Sequence, residues 1–199
     1  MDIKKMDIKK FSEGYISELV SLLHAFPVDP FEKIVNALLV AHEKGKNILI
    51  MGNGGSGSTA SHFACDINKG CSMDLDKKFK VYCLNDNIPT MLALANDVSY
   101  DAVFVEQMKS FYSPGDVVVG ISGSGDSENV LRAIRYANEN EGVTIGLSGF
   151  SGGKLSSLAH IAFVAEINDM QKVEDEHMIV VHMLMQALYN ALHPSPAAI

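Results

Sequence analysis

Five short apolar runs, each closed by glycine or polar residues, constrain this chain more than any other feature of its sequence. They lie at Ile48–Met51, Lys80–Leu84, Val117–Ile121, Thr144–Leu147 and Ile161–Ala165. Each is followed by a glycine-rich or polar turn and then by a helical stretch. Strands that are apolar throughout are covered on both faces, as in a parallel sheet wrapped by crossover helices. The pattern predicts one α/β domain built on a five-stranded, parallel, doubly wound sheet. A chain of 199 residues has room for that domain and one extra element, and not for two ordinary domains.

The extra element is helical. Ile16, Leu19, Val20 and Leu23 recur at helical spacing between Glu13 and Phe26, and Pro27 ends that run. A second helix is expected to begin at Asp29-Pro30, with aspartate as N-cap and proline at the first helical position. It carries Ile34, Leu38 and Ala41 on one stripe and stops at Gly45. The sheet needs neither helix, so packing against a second subunit is their expected use. The last helix, Val173–Leu192, is apolar nearly all round its C-terminal half and is expected to be buried. Residues 1–12, which include the direct repeat MDIKKMDIKK, and the tail 194–199 are expected to be loose, leaving 13–193 as the domain.

A net charge of −8 excludes sequence-independent nucleic-acid binding, which needs a lysine- or arginine-rich footprint. The body of the chain has no basic run for a membrane surface and no apolar stretch long enough to span a bilayer. Cys65, Cys71 and Cys83 are odd in number and form no CxxC pair, which fits a reducing cytoplasm.

Open parallel sheets bind ligands beyond the carboxyl ends of their strands. The loop after the first strand reads Gly52-Asn53-Gly54-Gly55-Ser56-Gly57-Ser58, with a helix expected from Thr59. It has neither the GxGxxG spacing of a dinucleotide site nor a P-loop GxxxxGK[ST], so no nucleotide cofactor is expected. The loop after the third strand reads Ser122-Gly123-Ser124-Gly125-Asp126-Ser127 and leads into a helix expected over Glu128–Asn140. Its three hydroxyls can converge on one anion beside the N–H groups at the helix start. With no lysine present, neutral donors and the helix dipole must hold that anion, which suits a phosphate monoester. The bland alternative makes Ser127 an ordinary N-cap and the other serines solvated turn residues.

GNGGS after one strand and SxSGxS after a later one resemble the SIS (sugar isomerase) domain. His62-Phe63-Ala64, Ala95-Asn96-Asp97, Gly149 to Lys154, and a final helix with Glu174, His177 and His182 narrow the resemblance to the phosphoheptose isomerase family. It covers nearly the whole chain from about residue 14. The resemblance implies a flavodoxin-like five-stranded sheet, a homotetramer stapled by N-terminal helices, and active sites completed across subunits. It implies an aldose–ketose isomerase interconverting sedoheptulose 7-phosphate and glycero-manno-heptose 7-phosphate. Matched residue by residue, Ser122, Gly123, Ser124 and Ser127 fall at the phosphate site, and Asn53, Gly54, Ser56, Asp97 and Glu174 at the rest of the substrate site. Asp66 falls where the family has a catalytic glutamate, and His182 matches its catalytic histidine.

Spacing adds to that assignment. His62 and Asp66, four apart, share a helix face, as do Glu174 and His182, eight apart. Two such pairs facing each other offer two carboxylates and two imidazoles, a Zn²⁺ set. In some family members the matching positions hold zinc, with glutamine in place of Glu174. His182 lies in an apolar helix, where a neutral imidazole needs a polar partner. His177 lies on another face, and His24, His42, His160 and His193 read as surface or packing residues.

Two departures leave the exact sugar open. Asp66 is one methylene shorter than glutamate, a displacement of about 1 Å that can cost roughly 10²-fold in rate. Lys69-Gly70 stand where the family tends to have arginine, and lysine is a point charge rather than a bidentate fork. The alternatives to an enzyme are a non-catalytic SIS-domain interaction protein of the replication-initiator-binding type and a sugar-phosphate-sensing regulator.

Overall fold

Alternation along the strands builds the core in this computed structural model, which describes residues 6–193. In β1 (Asn47–Gly52), Ile48 and Ile50 face one side, and Leu49 and Met51 face the other. All four are fully buried. The other strands are β2 (Lys80–Cys83), β3 (Val117–Ser122), β4 (Val143–Gly149) and β5 (Ile161–Ala165). Every pairing is parallel and the spatial order is β2-β1-β3-β4-β5. The five expected strands and the doubly wound architecture are present, with no end moved by more than two residues.

One face of the sheet is covered by α2 (Val28–Lys44), α3 (Gly54–Cys65) and α8 (Met170–Leu192), through Leu38, Phe63, Val180 and Leu184. The opposite face is covered by α5 (Val105–Met108), α6 (Glu128–Glu139) and α7 (Gly153–Leu158), through Met108, Leu131, Ile134 and Leu155. A further helix, α4 (Ile88–Asp97), follows β2.

Several helix boundaries differ from expectation. The first helix, α1, spans Ile8–His24, because Asp7 rather than a later residue caps it by accepting from Lys10 N–H. Residues 8–12 are therefore helical, whereas the expected loose tail from Pro194 and residues 1–5 lie outside the described residues. In α2 the cap position is Pro27, so Asp29 and Pro30 sit inside the first turn, and the helix ends on Gly45 at φ +65°. The last helix starts at Met170, capped by Asp169, which accepts from Gln171 and Lys172 N–H. Its burial is one-sided: Val180, Val181, Leu184 and Leu188 are covered, and Met183 is exposed.

Candidate active site

In the order 2-1-3-4-5 the chain reverses its winding direction between β1 and β3, and ligands bind where their carboxyl ends part. The two loops singled out in the sequence leave from those two strands. Beyond β1 the backbone turns helical at Gly54, not Thr59, because the small residues Ser56, Gly57, Thr59 and Ala60 let α3 lie directly on the sheet. Asn53 is the N-cap residue of α3, yet its side chain makes no capping bond. Ser127 stands in the same relation to α6. Both helices therefore present first-turn N–H groups that no cap side chain occupies, the arrangement that attracts an anion.

Asn53, Gly54, Gly55, Ser56, Ser122, Gly123, Ser124, Ser127, Met170 and Glu174 together line a cleft of about 290 Å³. Ser122 Oγ donates to Ser127 Oγ at 3.0 Å, and Ser124 Oγ accepts from Asp126 N–H at 3.2 Å. The hydroxyls thus belong to one turn, with Ser124 exposed at its tip. The loop is braced from beside: Leu155 N–H donates to the Gly125 carbonyl at 2.9 Å and Gly149 N–H to the Gly123 carbonyl at 2.9 Å. Gly125 has φ +71°, and a Cβ there would collide with the Gly152 carbonyl. No lysine or arginine lines the cleft, so neutral donors and two helix N-termini are its anion-binding equipment. A larger cavity of about 630 Å³ between α1, α2, β5 and α8 is lined by three carboxylates, Glu18, Glu166 and Glu176, against the single Glu174 of the serine-lined cleft.

A second constellation forms further along α3 and α8. His62 Nε2 lies 2.9 Å from His182 Nε2 and 3.2 Å from Asp66 Oδ2. Ligand atoms of His62, Asp66 and His182 all fall within 4.8 Å of one another. His62 and His182 are exposed, so the polar partner expected for His182 is another imidazole at the surface rather than a buried group. Asp66 opens a π-helical segment, Asp66–Cys71, that continues α3. Such turns are uncommon and concentrate at functional sites. The segment packs along α8, where Cys71 Sγ donates to the Met185 carbonyl and burial pushes the thiol up to about 11.

Glu174 does not join this group. Its carboxylate sits in the serine-lined cleft, where a Cβ on Gly55 would strike it. A shared face was correctly inferred for Glu174 and His182, but two helical turns separate them by about 12 Å along the axis. The residues whose ligand atoms gather in this structure are His62, Asp66 and His182, without Glu174. Asp97 ends α4 exposed, accepting from Asn96 Nδ2, and does not line the cleft. His177, assigned to neither cluster, is 1% exposed, with Nε2 at 3.0 Å from the Ser148 carbonyl oxygen. Burial holds its imidazole down to about 4 and lifts the carboxyl of its neighbour Glu176 to about 7.

The SIS-domain profile matches residues 14–149. The phosphoheptose isomerase of Helicobacter pylori is 34% identical over 160 residues, covering 80% of this chain and 83% of that protein. This chain belongs to the SIS-domain phosphoheptose isomerase family. A probable phosphoheptose isomerase of Thermoplasma acidophilum is 34% identical over 179 residues, 90% of this chain and 96% of its own. Among solved structures, a phosphoheptose isomerase from Francisella tularensis superposes with a TM-score of 0.84 at 26% identity, over 92% of this chain and 96% of that one. Membership makes this protein a sugar-phosphate isomerase.

Sequence reasoning missed two residues in the site. Asn129 and Tyr100 both hydrogen-bond the Asn53 side chain. Asn129 precedes the buried Ala133 and Ala137 by four and eight positions, which places a polar residue on the buried stripe of α6. That was a readable signal. Tyr100, in a short 3₁₀ turn after α4, gave none.

Proposed function

We propose that this protein interconverts sedoheptulose 7-phosphate and glycero-manno-heptose 7-phosphate in the cytoplasm through a 1,2-enediol. The observation that carries the proposal is the meeting of Asp66 with two imidazoles in a chain that also has a serine-lined phosphate cleft. From ketose to aldose, a base takes a proton from C1 while the C2 carbonyl oxygen gains one. Return of a proton to C2 and loss of the O1 proton then leave the aldehyde. Asp66 and His182 divide these transfers between carbon and oxygen. Ser122, Ser124 and Ser127 hold the phosphate, with the N-termini of α3 and α6 completing its shell.

His62, Asp66 and His182 fit a zinc ion. Donors about 2.0–2.1 Å from one tetrahedral zinc lie about 3.3 Å apart, close to the 2.9 and 3.2 Å separations here. Two imidazoles and one carboxylate also leave a fourth position open. Bound zinc would polarise the substrate's carbonyl and hydroxyl oxygens in place of the proton His182 gives in the metal-free site, with the second Asp66 oxygen left as the base.

The functional unit is a homotetramer in which the cleft of one subunit meets the acid–base group of another. Distance supports this reading. From Gly54 to His62 and Asp66 the helix rises about 12–18 Å, whereas C–C bonds of about 1.5 Å make an extended seven-carbon phosphate on the order of 10 Å. A gap of that size favours, for a substrate anchored in one chain's cleft, the acid–base group of a neighbouring subunit. An apolar face on α1 supports assembly too: Ile8, Phe11, Ile16 and Val20 are exposed, and only Leu22 is buried. This helix is tied to α8 by Tyr15 Oη donating to Asp175 Oδ2 and by the Lys172–Glu18 ion pair at 3.1 Å.

The deciding experiment follows aldose formation from sedoheptulose 7-phosphate, with and without a chelator. Turnover lost to the chelator and restored by zinc is expected. His182→Ala should abolish turnover while sugar-phosphate binding persists, and an active His182→Ala enzyme would remove His182 from the mechanism. Binding without turnover in the wild-type protein would instead favour a sensing or interaction role.

A further inference from the structure

Asn53 lines the cleft, and its side-chain amide is almost fully committed before any sugar arrives. Asn53 Oδ1 accepts from Asn129 Nδ2 at 2.9 Å and from Tyr100 Oη at 2.8 Å, which uses both its lone pairs. Asn53 Nδ2 donates one of its two hydrogens to Asn129 Oδ1 at 2.9 Å. The orientation of this reciprocal amide pair is fixed from outside. Asn129 Oδ1 also accepts from Val130 N–H at 2.9 Å, a first-turn donor of α6 that has no intrahelical acceptor. Rotating the Asn129 amide by half a turn would set N–H against N–H at Val130. Rotating the Asn53 amide would do the same at Asn129. Asn129 is 2% exposed, so water cannot compensate either error.

We propose that Asn129 and Tyr100 are positioning residues that make Asn53 a donor-only contact, leaving one N–H for an oxygen of the sugar. This rests on the sugar-phosphate reading of the cleft and adds selectivity to it. At the carbon facing Asn53 the substrate must present a hydroxyl or carbonyl oxygen, and a protonated amine there finds no acceptor on Asn53. The network also joins three elements. Asn129 belongs to the helix whose start carries the phosphate-site serines, Asn53 to the cap of α3, and Tyr100 to the turn after α4. Phosphate seated at α6 therefore meets an Asn53 amide already aimed.

The test is a double-mutant cycle on the intact protein, with sedoheptulose 7-phosphate as substrate and inorganic phosphate as competitive inhibitor. Tyr100 is exposed, so Tyr100→Phe removes one hydroxyl without endangering the fold. It should lower kcat/KM by about 3- to 10-fold, the effect of one net hydrogen bond. Inhibition by inorganic phosphate and the thermal midpoint should not change. In an Asn53→Ala background, or Asn53→Ser should alanine at the cap fold poorly, Tyr100→Phe should have no further effect. An unchanged kcat/KM in Tyr100→Phe, or the same loss with and without Asn53, would overturn the proposal. If the wild-type protein binds the sugar phosphate without converting it, only the isomerase reading fails, and the same cycle is read in Kd by calorimetry. A wild-type protein that binds no sugar phosphate overturns both.

Discussion

Glu176 and His177 are consecutive on α8 and both are sealed from solvent, so each is held in its uncharged form at a different cost in pH. Neither Glu176 carboxylate oxygen nor His177 Nδ1 has a hydrogen-bond partner among the described residues. Glu176 titrates near 7 when folded against 4.5 as a free side chain. Between those values the folded protein keeps a proton that the unfolded chain has lost, and stability falls as pH rises through the window. His177 titrates near 4 against 6.5. Between those values the unfolded chain holds the extra proton, so stability falls as pH drops. The two slopes oppose each other from about pH 4.5 to 6.5. Glu176→Met, unbranched and of similar length, should raise stability above pH 7 by about 1–2 kcal/mol, a gain of roughly 2–8 °C in Tm. Below pH 6.5 it should expose the uncompensated acid sensitivity of His177. Thermal melts from pH 4 to 8 check both, and parallel curves for wild type and variant would show that Glu176 does not titrate there.

At the scale of elements, the serine turn depends on close approach between the β3–α6 and β4–α7 connections. Gly125 is where they touch, with a left-handed backbone and the Gly152 carbonyl against its Cα. Gly125→Ala should cost at least about 2 kcal/mol through strained φ and displaced backbone, roughly 4–8 °C in Tm. It should weaken phosphate inhibition as well, because the same shift moves Ser124. Full phosphate affinity in a destabilised variant would separate the brace from the site. Elements were also where the sequence was most legible. Ile48–Met51 and Val117–Ile121 are apolar on both faces, so they could only be interior strands. The glycines of Gly54–Gly57 hid a helix start, since their propensity argues for a loop and only contact with the sheet outweighs it. The π-helical turn at Asp66 was invisible, because one residue of extra register leaves no mark on hydrophobic spacing. The grouping of His62 with Asp66 was legible, being four residues within one helix. Glu174 with His182 was not, since periodicity reports a face and says nothing about distance along it.

For the whole molecule the separation of cleft and acid–base group has one sharp consequence. Ser124→Ala/Ser127→Ala damages the cleft, and His182→Ala damages the other half. If each site draws its cleft from one subunit and its acid–base group from another, mixed oligomers contain intact sites even though every chain is defective. Random assembly puts a sound cleft at a given site half the time and a sound acid–base group half the time. Co-expressing the two variants should then restore about a quarter of wild-type activity. The oligomer should elute as a tetramer, with the exposed Ile16 and Val20 of α1 covered by a neighbour. Replacing both by glutamate should lower the oligomeric state and turnover together if the site is shared between subunits as proposed. Co-expressed variants as inactive as either alone, in an oligomer shown to contain both, would place the whole site within one chain.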